Sequence, residues 1–195
     1  MKRTGIFGGT FNPVHAGHLI NLEFIRSELE LDRVLLIPAR EPVHKTITDR
    51  IAPSERLEMV KIAIAGNPFF EASSLEIERD QSSYTLYTIN DLLTIYPDDE
   101  FFLIIGSDSF NELDTWKSYV EILNSVNIAV MKRPGDPHLR EDLTAISKNV
   151  IIVENPEIGI SSTMIRERVK LGKSIRYLVS DPVIEYIDAR GLYKN

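Results

Sequence analysis

Five short apolar runs, each separated from the next by helix-like patterns, set the strongest limit on how this chain can fold. They are Thr4–Phe7, Val34–Ile37, Phe101–Ile105, Ile128–Met131 and Val150–Val153. Their hydrophobicity is continuous rather than alternating, as expected for strands buried on both faces in a parallel sheet. Residues 70–78 (FEASSLEIE) alternate loosely and read as a further strand. Leu19, Leu22, Phe24, Ile25 and Leu29 form an apolar stripe after the first run. Ser54 reads as the cap of a helix carrying Leu57, Val60 and Ile64. Further helical patterns cover Tyr84–Ile95 (ending before Pro97), Val120–Asn124, Leu139–Ser147 and Thr163–Leu171 (stopped at Gly172). The last begins near Asp181-Pro182 and ends at Gly191. Strand–helix alternation predicts an α/β fold: a doubly wound, mostly parallel sheet with helices on both faces. With no repeat or composition break, residues 1–195 read as a single domain. Such sheets bind ligands at the carboxyl ends of their strands.

Composition narrows the partners. The net charge is −7, which argues against nonspecific nucleic-acid binding but leaves room for a small anion held by a few placed cations. There is no cysteine, so disulfides and thiolate metal sites are ruled out. No apolar stretch reaches the ~18 residues of a membrane span. The first apolar run is too short for a signal peptide. The expectation is a cytoplasmic protein with no nucleic-acid or membrane partner; a homo-oligomer is left open.

Two segments carry chemistry. The first, Gly8-Gly9-Thr10-Phe11-Asn12-Pro13-Val14-His15-Ala16-Gly17-His18, leads from the first strand into the first helix. Paired glycines let a ligand approach the backbone, and amides at a helix start favour an anion. The segment is neither GxGxxG nor a P-loop. His15 and His18, three apart at a helix start, fall on one face. A plain turn with capping histidines is the simpler alternative. Zinc is another, needing His44, His138 or a carboxylate as a third ligand. The second segment, Ile160-Ser161-Ser162-Thr163-Met164-Ile165-Arg166, offers hydroxyls and amides at a helix N-terminus, with a guanidinium one turn in.

GGTFNPVHAGH resembles the signature of the nucleotidylyltransferase superfamily, its HxGH matched by His15, Gly17 and His18. ISSTMIR resembles that family's second signature, which binds triphosphate. Further likenesses narrow the resemblance to bacterial-type nicotinate (or nicotinamide) mononucleotide adenylyltransferases. These are PAREPVHK at 38–45 (Val43 replacing a usual proline), Ser54–Leu57 with Arg56, Ser83-Tyr84-Thr85, Gly106-Ser107-Asp108 with Trp116, and the tail SIRYLVSDPVIEYIDARGLY. Together they cover about residues 3–193. Tyr87 departs from the aspartate common there.

The resemblance implies a Rossmann-like nucleotidylyltransferase fold and transfer of the adenylyl group of ATP to nicotinate mononucleotide. Magnesium would be carried mainly by the ATP phosphates, with no protein metal ligand. It implies catalytic roles for His15, His18, Lys45 and Arg166. ATP would be met by Gly8, Gly9, Thr10, Phe11, Gly17, Gly106 and Asp108 on one side, and by Ser161, Ser162, Thr163 and Ile165 on the other. The pyridine mononucleotide would be met by Asn12, His44, Lys45, Thr85 and Trp116. The long polar segment Arg40–Ala52, which carries Lys45, reads as a loop that closes over substrate.

Simpler readings stay open: Trp116 as core, Asp108 as a helix cap, Lys45 as a solvated loop residue. Asp98-Asp99-Glu100 reads as a solvated turn, and Tyr177 and Tyr186 as packing residues. Rival functions are a sister transferase with another acceptor, such as phosphopantetheine or a cytidylyltransferase substrate, a non-catalytic nucleotide sensor, and a zinc hydrolase. A sensor would be expected to lose a histidine or the arginine of the second segment. The chain keeps all of them.

Overall fold

The structure, a computed structural model, describes residues 1–41, 51–80, 82–132, 135 and 138–194. Among these, the order is β1 (Arg3–Gly9), α1 (Ala16–Glu28), β2 (Arg33–Pro38), α2 (Pro53–Ile64), β3 (Phe70–Ala72), α3 (Leu75–Glu78), α4 (Thr85–Ile95) and β4 (Glu100–Gly106). Then come α5 (Ser107–Asn111), a 3-10 turn at Leu113–Thr115, α6 (Tyr119–Ser125), β5 (Asn127–Lys132), α7 (Glu141–Ile146), β6 (Val150–Glu154), α8 (Ser162–Lys170) and α9 (Asp181–Arg190). No helix among the described residues is long and apolar enough to cross a membrane.

The strands form one sheet in the order β3-β2-β1-β4-β5-β6, and every pairing is parallel. The chain moves outward from β1 in one direction, then returns to lay β4 against its other edge. In doubly wound sheets such a reversal marks the ligand-binding crevice, here at the carboxyl ends of β1 and β4. The apolar runs are continuous because both faces are covered. Val34, Leu36, Phe102 and Ile104 join one core with Leu22 and Ile25 of α1, Met59 of α2 and Val183 of α9. Leu35, Ile37, Leu103 and Ile105 join the other with Ile89 of α4, Phe110 of α5 and Ile122 of α6. The period-two alternation of a strand thus feeds two apolar layers instead of one.

Several sequence expectations need correction. Of residues 70–78, only Phe70–Ala72 is strand, and Leu75–Glu78 is a helical turn. The turn carries Glu76 inward, where its carboxylate accepts from Thr88 Oγ1 on α4 at 2.7 Å. Ser54 does not cap α2: Ala52 holds that position and proline occupies the first turn, where its fixed φ and missing N–H are tolerated. The acidic turn is not simply solvated. Asp99 accepts from Thr4 Oγ1 and Arg33 Nη2, both at 2.8 Å, while Glu100 starts β4 and accepts from Asn127. Those partners and the Arg33 charge hold the Asp99 carboxyl below its usual range against the opposing pull of burial. Tyr177 packs on nothing substantial, being 83% exposed. Tyr186 does pack, and its hydroxyl donates to Glu55.

Candidate active site

The turn after β1 is built by mutual fit. A Cβ at Gly9 would lie 3.1 Å from the ring of Phe11, so glycine spares the buried phenyl a tight contact. Phe11 itself has φ 49°, an uncommon conformation for a residue with a side chain, and its ring packs edge-on to His18 at 5.4 Å. At Gly8 an added Cβ would meet nothing within 4 Å, so this backbone borders open space.

The two histidines form a capping box at the start of α1. The His18 amide donates to His15 Nδ1 at 3.4 Å, and the His15 amide donates to His18 Nδ1 at 3.3 Å. Ser/Thr and Glu/Gln usually fill these roles. The rings stack with centroids 3.6 Å apart and 22° between planes. Since each Nδ1 accepts a backbone hydrogen, each ring, when neutral, carries its proton on Nε2. Gly17 leaves the His15 ring unstrained, because a Cβ there would sit 3.1 Å from His15 Nδ1 and 3.3 Å from its Cε1.

Burial lowers the His15 pKa to about 4, and the residue is only 6% exposed. The folded protein therefore binds fewer protons here than the unfolded chain, whose histidine titrates near ~6.5. The linked stability is fully present above that value and is lost as pH falls toward 4. We expect a loss of about 2–3 kcal/mol attributable to this ring. Urea unfolding at pH 7 and 4.5 should show wild type losing more stability than His15→Asn, which keeps a capping acceptor that does not titrate. Equal losses would remove His15 as the source.

The second segment locks onto the first. Ser161 caps α8, its Oγ accepting from the Met164 amide at 3.2 Å. Ser162 Oγ donates to the Pro13 carbonyl at 2.9 Å. Arg166 donates to the Asn12 carbonyl at 3.0 Å through Nη1 and approaches Thr163 Oγ1 at 3.4 Å through Nη2. Residues some 150 positions apart thus frame one corner of the crevice. Ile165 is fully buried in the core, so any contact it makes to a ligand runs through its backbone. Asn12 is 4% exposed and its Oδ1 accepts from Tyr193 at 2.7 Å. Its structural part is to tie the turn to the end of the chain.

On the other side of the crevice, Gly106 precedes α5, and Asp108 lies exposed in that helix's first turn without capping it. Thr85 opens α4, and Trp116 follows the 3-10 turn, half-buried against the core that α4 shares. Lys117, beside Trp116 in sequence, reaches the start of α4, its ammonium 4.6 and 4.7 Å from the ring centres of Tyr84 and Tyr87 and bonded to the Tyr87 hydroxyl. That bond raises the Lys117 pKa, and it gives Tyr87 a definite partner. His44 and Lys45, with most of the segment expected to close over substrate, lie outside the described residues.

Residues 6–168 match the sequence model of the cytidylyltransferase-like family. A protein of Desulfitobacterium hafniense strain Y51 named "Probable nicotinate-nucleotide adenylyltransferase" is 43% identical, the match spanning 99% of this chain and 96% of the relative. A relative of the same name from Roseiflexus sp. strain RS-1 is 44% identical over 97% of each chain. The chain belongs to this nicotinate-nucleotide adenylyltransferase family. The fold agrees with a solved structure of the Plasmodium falciparum nicotinic acid mononucleotide adenylyltransferase complexed with NaAD, at a TM-score of 0.81 and 19% identity, covering 99% of this chain and 98% of that one.

Two residues that brace the candidate site leave little trace in the sequence. Tyr193 reads as the last apolar residue of a tail, yet its hydroxyl holds Asn12. Arg56 appears in the sequence only inside a segment resemblance. It is fully buried, donating to the Thr10 and Ala39 carbonyls at 2.6 Å and to that of Arg40 at 3.1 Å. Its signal was an arginine beside Leu57 on the face that also carries Met59 and Val60.

Proposed function

We propose that the protein transfers the adenylyl group of ATP to nicotinate mononucleotide, giving nicotinate adenine dinucleotide and pyrophosphate. The observation that carries this reading is the joining of the histidine turn to the Ser161–Arg166 helix start in one anion-binding corner. The relatives' names point to the same substrate.

The mononucleotide's phosphate oxygen attacks the α-phosphorus of ATP in line, and the bond to the pyrophosphate oxygen breaks. The attacking group is already an anion, so no general base is required. Catalysis then consists of positioning and charge stabilisation. Gly8, Gly9 and the α1 N-terminus offer amides to the nucleotide. His15 and His18 donate from Nε2, a role that for His15 suits its low pKa. Arg166 and Lys45 supply positive charge, and the α8 N-terminus cradles the triphosphate. A cation that rides on the nucleotide's phosphates needs no protein cage. Bound magnesium would supply Lewis-acid neutralisation of the phosphate charge, and no residue of the chain is assigned to it.

Trp116 offers a stacking surface for the pyridine, and the amides at the start of α4 with the Thr85 hydroxyl offer donors. Donors suit a carboxylate; an amide would set its own NH₂ against one of them, costing about 1–3 kcal/mol. Nicotinate mononucleotide should therefore be preferred over the nicotinamide form roughly ten- to a hundredfold in kcat/KM. Incubation with ATP, Mg²⁺ and each mononucleotide, with products identified by mass, tests the reaction. Dinucleotide formed from neither would overturn it, and equal kcat/KM values would overturn the preference.

A further inference from the structure

Arg56 is an expensive residue for its position. It is fully buried near the start of α2, and among the described residues no carboxylate pairs with it. Its Nε–H has no acceptor there either. A buried guanidinium is costly to desolvate, and an apolar side chain of similar volume would commonly fill such a space more stably. Packing alone therefore gives no reason for arginine.

What the guanidinium does is join two loops. Nη1 holds the carbonyl of Thr10, in the turn after β1. Nη2 holds the carbonyls of Ala39 and Arg40, directly after β2. The second loop is held again from its far side, where the Arg40 amide donates to Ser83 Oγ at 3.0 Å. Ser83 lies two residues before Thr85, the first residue of α4. A continuous path thus runs from the turn assigned to ATP, through Arg56 and the loop after β2, to the helix start assigned to the pyridine ring. The planar fork suits this task, because it fixes several acceptors in one plane, which an ammonium cannot do.

We infer that Arg56 is a positioning residue that sets the ATP-binding turn in register with the acceptor-binding side of the crevice. It is too buried to touch either substrate, so it acts through Thr10, Ala39 and Arg40. The inference rests on the reaction proposed above. In a two-substrate transfer, relative placement governs the chemical step more than either binding event.

The test compares R56M and R56K with wild type. Turnover per folded enzyme should fall on the order of tenfold or more in R56K and further in R56M, with KM for ATP and for the mononucleotide each within about threefold. Hydrogen exchange should quicken in residues 8–12 and 39–41 together while β4 stays protected. If R56M does not fold, R56K alone decides. Unchanged turnover per folded enzyme, with only a lower melting temperature, would reduce Arg56 to a structural role and overturn the inference. So would a loss confined to the KM of one substrate. If wild type makes no dinucleotide, the proposed reaction fails on its own account. The exchange result then decides the coupling: quickening of both segments together in R56K supports it, and quickening of one or neither overturns it.

Discussion

His18→Ala should turn over roughly 10²–10³ times more slowly than wild type, the usual effect of removing one preorganised donor from developing charge. The ring is held on three sides: stacked on His15 at 3.6 Å, edge-on to Phe11 at 5.4 Å, and capping the His15 amide through Nδ1. Such fixation gives a donor little to reorganise when negative charge builds at the α-phosphate. The substitution also removes a capping acceptor, worth about 0.5–2 kcal/mol, so melting temperature must be followed alongside turnover. A folded variant with wild-type turnover would show that the stack is only a helix cap. His18→Asn refines the test, since a shorter amide can cap without placing a donor where Nε2 lies. It should recover stability and not rate.

The fold was legible because a doubly wound sheet writes itself as apolar runs separated by amphipathic helices. Five of the six strands were read from those runs. β3 was overextended because three residues at a sheet edge leave little periodic signal, and LEIE alternates as well in a helical turn as in a strand. α5 was missed for the same reason, with five residues against the strand end. The histidine turn was legible as a string, and the placement of both rings on one face followed from their spacing. Their mutual capping was not, since nothing in the spacing says which nitrogen takes which amide. Distance along the chain hid the remaining links. Tyr193 reaches Asn12 across 181 positions and Arg166 reaches it across 154, so neither contact has a local signature. Arg56 was obscured by its type, because arginine in a helix is read as a surface residue until burial shows otherwise.

Arg166→Met should lower kcat/KM for ATP on the order of a hundredfold or more, and Arg166→Lys about tenfold. The guanidinium has two duties. It is a strut, with Nη1 on the Asn12 carbonyl and Nη2 facing Thr163 Oγ1, and it is a positive charge at the corner where α8 meets the histidine turn. Methionine keeps the stem and a comparable helix propensity, so α8 should persist, with Ile165 still buried beneath it. What disappears is the charge and the fork. Losing a charged hydrogen-bond partner of an anion costs about 2–5 kcal/mol, which spans that loss and exceeds what a strut to one carbonyl would cost. Lysine restores charge without the planar fork, so it should recover affinity only in part. The diagnostic is where the loss falls. A phosphate-binding role predicts loss of affinity for ATP and for inorganic pyrophosphate alike, beside the modest fall in melting temperature that losing the Asn12 strut brings. A strut alone predicts a lower melting temperature with pyrophosphate affinity retained, and that result would remove Arg166 from the catalytic set.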